Sequence, residues 1–164
     1  MLQPAAHALL HAAQQIPDAV LGADPPLSAD AIWMRPGGAA STGFHLRHLA
    51  GSTDRLLTYA RGEQLSDEQR DYLRVEGVRD AGSVAPQEPA ELVADAVAAL
   101  ERAIEVIRQT PASRLLDRKV VGRMELPTNV HGLLFHIAEH AQRHTGQLVT
   151  TVKVVQGQLR SSDD

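Results

Sequence analysis

The chain has 164 residues, a length suited to a single domain, with 43% hydrophobic and 22% charged residues, enough to bury a core and remain soluble. Sixteen Lys and Arg against twenty Asp and Glu give a net charge of −4, and only five residues are aromatic (Trp33, Phe44, Tyr59, Tyr72 and Phe135), which argues against a general nucleic-acid binder. There is no cysteine, which excludes disulfide scaffolds, thiolate metal sites and a cysteine nucleophile, whereas histidine occurs eight times.

Residues Pro4 to about Leu21 carry Ala, Leu, Ile and Val at helical spacing, with Pro17 placed to kink or end that helix early. Ser28 to Thr42, containing Arg35-Pro36-Gly37-Gly38, reads as a helical turn followed by a loop. A second helix is expected from about Ser41 to Arg61, with Leu46, Leu49, Leu56, Leu57 and Ala60 as its apolar positions and Gly62 closing it. Ser66 and Gln69 form a capping box opening a short helix that ends near Gly77. Gly82 to Pro89 reads as a linker.

A third long helix begins at Pro89, continues through Leu92, Val93, Val97, Leu100, Ile104 and Ile107, and stops at Thr110-Pro111. Arg118 to Leu126 has β-branched residues around a glycine and suits a small hairpin or an extended loop. The final helix is expected to start at Pro127-Thr128, with Thr128 as its N-cap, and to reach about Gln156, leaving 157–164 as a flexible tail. Four long helices with irregular connections give an all-α, four-helix bundle with a short extra helix and a small extended segment, in one domain spanning 1–164. The N-terminus carries no basic leader with an apolar run and no stretch suits a membrane span, so a cytoplasmic protein is expected.

Five of the histidines fall in two groups. His136, His140 and His144 repeat at i, i+4, i+8 on the final helix, whose buried stripe runs through Val130, Ile137, Leu148 and Val155. Measured from Ile137, His144 lies roughly −20° away, His140 roughly −60° and His136 roughly −100°. The pair best placed for an interior metal site is therefore His140 and His144, and a further ligand must come from another helix. The second helix offers His45 or His48; measured from Leu49 these stand roughly −40° and −100° away, which favours His45 as the inward residue and leaves the choice open. The small residues Ala50, Gly51, Ser52 and Thr53 that follow would let a helix or ligand approach closely. His7, His11 and His131 are expected to be ordinary surface or packing residues.

Three motif readings are excluded. His136-Ile137-Ala138-Glu139-His140 fits the inverted zinc-protease pattern with Glu139 as general base, but the only acidic residues after Glu139 are Asp163 and Asp164, so the downstream carboxylate ligand is missing. A di-iron bundle needs two Glu-x-x-His pairs, and no Glu stands three residues before a His. Neither a P-loop nor a dinucleotide-binding glycine motif occurs.

From about Trp33 onward the chain resembles the DinB/YfiT-like superfamily of bacterial four-helix proteins. The resemblance rests on Phe44-His45-Leu46-Arg47-His48-Leu49-Ala50-Gly51-Ser52 and on His136…His140…His144-Thr145-Gly146-Gln147. Carried over by position, it implies a divalent zinc, nickel or iron ion held by His48, His140 and His144, because the family's histidine precedes a Leu-Ala-small-Ser run. It also implies thiol S-transferases that use low-molecular-weight thiols, or maleylpyruvate isomerase-like enzymes. The expected function is accordingly a metal-dependent transferase or hydrolase that activates water or a small thiol toward a small electrophile. Its alternative is a non-catalytic metal-binding bundle with a structural, sensing or stress-response role. Glu139, His45, His136 and Gln147 are the candidates for supporting the metal ligands. Arg47 is expected at the solvated surface, with an anionic substrate as the other reading. A small-molecule substrate and a homodimer are the expected partners, with neither nucleic acid nor membrane.

Overall fold

The computed structural model describes residues 2–79 and 88–162. Its frame is four long helices: α1 (Gln3–Val20), α2 (Thr42–Arg61), α4 (Pro89–Gln109) and α5 (Val130–Ser162). A short helix, α3 (Asp67–Val75), follows α2, and a hairpin of β1 (Arg118–Val121) and β2 (Leu126–Asn129) precedes α5. The architecture is an all-α bundle with a two-stranded accessory. The linker expected at Gly82 to Pro89 lies outside the described residues up to position 87.

α1 and α2 each pack against both α4 and α5, so α1 faces α2, and α4 faces α5, across the bundle. The consecutive pairs α1/α2 and α4/α5 are thus diagonal partners, while α2 and α4 lie side by side. The diagonal placement explains why those two connections are long: each must cross one end of the bundle, whereas a tight turn would place the helices side by side. The α1–α2 connection does so through 3-10 turns at Ala31–Trp33 and Pro36–Gly38. The α4–α5 connection does so through the hairpin, paired from Arg118 opposite Asn129 to Val121 opposite Leu126.

The apolar stripes meet in one core. Leu46 and Leu49 of α2, Leu100 of α4, and Leu134 and Leu148 of α5 are fully buried. The four positions that define the α5 stripe, Val130, Ile137, Leu148 and Val155, are all at most 4% exposed. The helix ends follow local chemistry. The Ser41 hydroxyl accepts the Phe44 amide at 3.1 Å and caps α2, while Gly62, with φ +85°, closes it in a left-handed conformation. The Ser66/Gln69 capping box opens α3.

Three helix boundaries differ from the sequence pattern. Pro17 lies inside α1 without ending it, and the helix continues to Val20. Thr128 belongs to β2, and the cap of α5 is Asn129, whose side-chain oxygen accepts the Gly132 amide at 2.8 Å. The strand pairing of Thr128 with Lys119 takes the position that an N-cap would need. At the other end, α5 runs past Gln156 to Ser162, where Leu159 packs on the core and the Arg160 guanidinium donates to the Asp24 carbonyl.

Candidate metal centre

α2 and α5 run antiparallel, so residues 45 to 48 of one meet residues 144 to 140 of the other. The His48 and His140 Nε2 atoms are 2.9 Å apart, and the His45 and His144 Nδ1 atoms are 3.0 Å apart. His48, His140 and His144 each offer a ring nitrogen, and these atoms lie within 4.8 Å of one another. All three are partly exposed, so the cluster lies at the rim of the core rather than sealed inside it. His45 lies deeper, 4% exposed, as its helical phase requires, and packs against the His144 ring. Phase therefore places His45 inward while the length of the His48 side chain brings it to the same cluster from the border of the stripe.

The donor set and its spacing fit a divalent ion. Two imidazole nitrogens bound to one ion at ~2.0–2.1 Å stand roughly 2.9–3.4 Å apart for coordination angles of roughly 90–110°. The His48–His140 separation of 2.9 Å matches the short end of that range. Imidazole suits zinc, nickel, iron and copper.

Burial favours the uncharged form of His45, His140 and His144. It pushes His45 down to about 4, with electrostatic interaction with His48 as the smaller cause. His140 is held at about 4 by burial first and then by electrostatic interaction with His48, His136 and Arg143. His144 falls to about 3, again by burial first and then by His48, His140 and His45. Neutral imidazole is the form that ligates a metal. The same shifts set a pH dependence for the metal-free fold. Between the ordinary value of 6.5 and about 4 these rings are neutral when folded but protonated when unfolded, so unfolding takes up protons. The stability they allow is complete above 6.5 and falls as the pH drops toward 4. Thermal melts of metal-free protein across that window should show a falling Tm, and a flat profile contradicts the assignment.

The structure redistributes the supporting residues. Glu139 is exposed; it pairs with Arg143 at 2.7 Å and with His136 at 3.3 Å, and those hydrogen bonds, His136 first, hold its carboxyl below the usual range. It touches none of the three clustered histidines by hydrogen bond, and Gln147 is likewise exposed. His136 stands beside the cluster, its ring 5.6 Å from that of His140. His7 and His11 are exposed, and His131 stacks on Phe135 away from the cluster.

The sequence pattern gives no hint of Glu76. This residue, 5% exposed just beyond α3, accepts the His48 Nδ1 hydrogen at 2.6 Å and faces Arg55 of α2 at 3.1 Å. Phe44 is also part of the site, its ring stacked on His48 at 5.2 Å. Arg47 is not a solvated surface residue: it is 1% exposed, with its guanidinium 4.6 Å from the centre of the Trp33 ring. A charged residue on an apolar-rich helix reads as surface, but a planar cation stacks on an aromatic face when backbone carbonyls satisfy it. Trp33 reaches that position because Gly43 has no side chain; a Cβ there would meet the indole at 2.8 Å.

No helix among the described residues is long and apolar enough to cross a membrane. No curated protein matches the chain. The sequence model described as the DinB superfamily matches residues 1–148, which cover both arms of the histidine cluster, and the chain belongs to that superfamily.

Proposed function

We propose that the chain is a metal-dependent enzyme with one divalent ion (zinc, nickel or iron) held by His48, His140 and His144, acting on a small electrophile with water or a low-molecular-weight thiol. The observation that carries this reading is the convergence of three imidazoles from two helices, with one ring nitrogen of each within 4.8 Å of the others. When bound, a divalent ion on three neutral ligands supplies a Lewis acid with open positions, which eases loss of a proton from a thiol or a water near neutral pH.

The chain's own residues provide the rest. His45 accepts or donates one hydrogen bond at His144 Nδ1 and so fixes that ring's orientation from the buried side. Phe44 covers one face of His48 and removes water from that side. The exposed row of His136, Glu139 and Arg143 borders the open side of the cluster and gives an entering molecule both signs of charge to bind. Because the chain has no cysteine, any sulfur nucleophile is a diffusible cosubstrate.

Metal-loaded protein should consume low-molecular-weight thiols in the presence of a small alkylating electrophile, and His140→Ala should abolish that consumption. Retained metal and a raised Tm, without turnover on thiols or on an ester panel, would support the non-catalytic metal-binding bundle instead.

A further inference from the structure

α3 (Asp67–Val75) is a helix with no buried residue, so it adds nothing to the core, and nine residues are too few to hold a helix in water alone. Polar contacts fix it to α2 instead, among them Gln69 donating to the Thr58 hydroxyl at 2.8 Å, and the residue that follows α3 meets His48. Its Tyr72 ring lies against Gly51, where a Cβ would come within 2.7 Å, and the Tyr72 hydroxyl donates to the Arg47 carbonyl at 3.3 Å. The Arg47 guanidinium donates to the Val78 carbonyl at 2.8 Å and to that of Arg79 at 3.4 Å, holding the segment that follows Glu76.

Between these two anchors lies Glu76. One carboxylate oxygen receives the His48 Nδ1 hydrogen at 2.6 Å and the other receives the Arg55 Nη2 hydrogen at 3.1 Å. His48 and Arg55 are seven residues apart, so they project from the same side of α2, with Gly51 between them as the space for α3. The Glu76 and Arg55 side chains are 6% and 9% exposed. A carboxylate that buried keeps its charge only beside a buried cation. A carboxylate on the far nitrogen of a ligating imidazole fixes its tautomer and strengthens it as a donor.

We propose that Glu76 and Arg55 are positioning residues for the metal centre: Arg55 holds the Glu76 carboxylate, and Glu76 aims His48 and raises its donor strength. α3 is then the arm that delivers this carboxylate. The inference rests on the reading of His48 as a metal ligand.

The test is zinc affinity by chelator competition, together with the visible absorption of cobalt-loaded protein, in Glu76→Gln, Arg55→Met, Arg55→Lys and the Glu76→Gln/Arg55→Met double variant. Glu76→Gln should weaken zinc binding ~10–100-fold and shift the cobalt spectrum. Arg55→Met should fall in the same direction, with Arg55→Lys recovering part of the loss. The double variant should bind no worse than Glu76→Gln alone, since Arg55 acts through the carboxylate. Zinc affinity and cobalt spectra that stay wild-type while only the Tm falls would overturn the proposal, as would additive losses in the double variant. A wild-type chain that binds no zinc would overturn the ligand reading itself, a different result from either of these.

Discussion

His144→Ala should lower zinc affinity by roughly 100- to 1000-fold while leaving the helical content unchanged. Apparent binding free energies of about 10–16 kcal/mol for four-ligand zinc sites amount to roughly 2.5–4 kcal/mol per ligand, or two to three decades in Kd. The expectation rests on geometry: the His144 ring centre lies 4.5 Å from those of both His48 and His140, and its Nδ1 is 3.0 Å from that of His45. The substitution leaves the buried His45 nitrogen without that partner, so some loss of stability accompanies the loss of metal. His131→Ala is the matched control, since that ring stacks on Phe135 outside the cluster. Isothermal titration or chelator competition on both variants separates the effects. Equal affinities would remove His144 from the site.

Leu49→Ala should destabilise the fold by about 2–5 kcal/mol, the range for a fully buried leucine replaced by alanine where the surroundings relax only in part. Leu49 is 0% exposed on the turn of α2 that carries His48, and α2 packs on both α4 and α5, so little can move in to fill the space. For a chain of this size that corresponds to a fall in Tm of roughly 5–20 °C. Denaturant melts of metal-free protein give the number without the contribution of bound ion. The exposed Leu116, 77% accessible, should tolerate the same change with almost no effect.

Both expectations rest on parts of the molecule that were legible before the structure. The α2 and α5 stripes carry a 3.6-residue period, and burial of Leu46, Leu49, Ile137 and Leu148 follows that period because one face of each helix has to meet the others. The i, i+4 spacing on α5 likewise brings His140 and His144 to one side without any tertiary information. Phase also put His45 inward, where it lies. It could not show that His45 and His48 reach the same cluster at different depths, because that depends on the antiparallel pairing of α2 with α5.

The parts that were not legible depend on long-range contacts. Glu76 lies 28 residues from His48, and its burial comes from the docking of a helix six of whose nine residues are charged or amide. The one local signal was Gly51 among small residues after His48, which marked a close approach without naming Tyr72 as the group that fills it. Arg47 was misplaced for a similar reason: Trp33 and the carbonyls of Val78 and Arg79 come from two separate segments, so nothing beside Arg47 in sequence indicates a buried cation. Thr128 yields its expected capping role to Asn129, since both residue types cap helices and the residue pattern alone does not show at which of the two the strand gives way to α5.

The central claim, one ion on three histidines, is tested most directly by anomalous scattering from crystals of zinc-loaded protein. The expected result is a single strong peak per chain, ~2.0–2.1 Å from one ring nitrogen each of His48, His140 and His144. A zinc peak ligated instead by His136 and Glu139, or no peak at the cluster at saturating zinc, would contradict it.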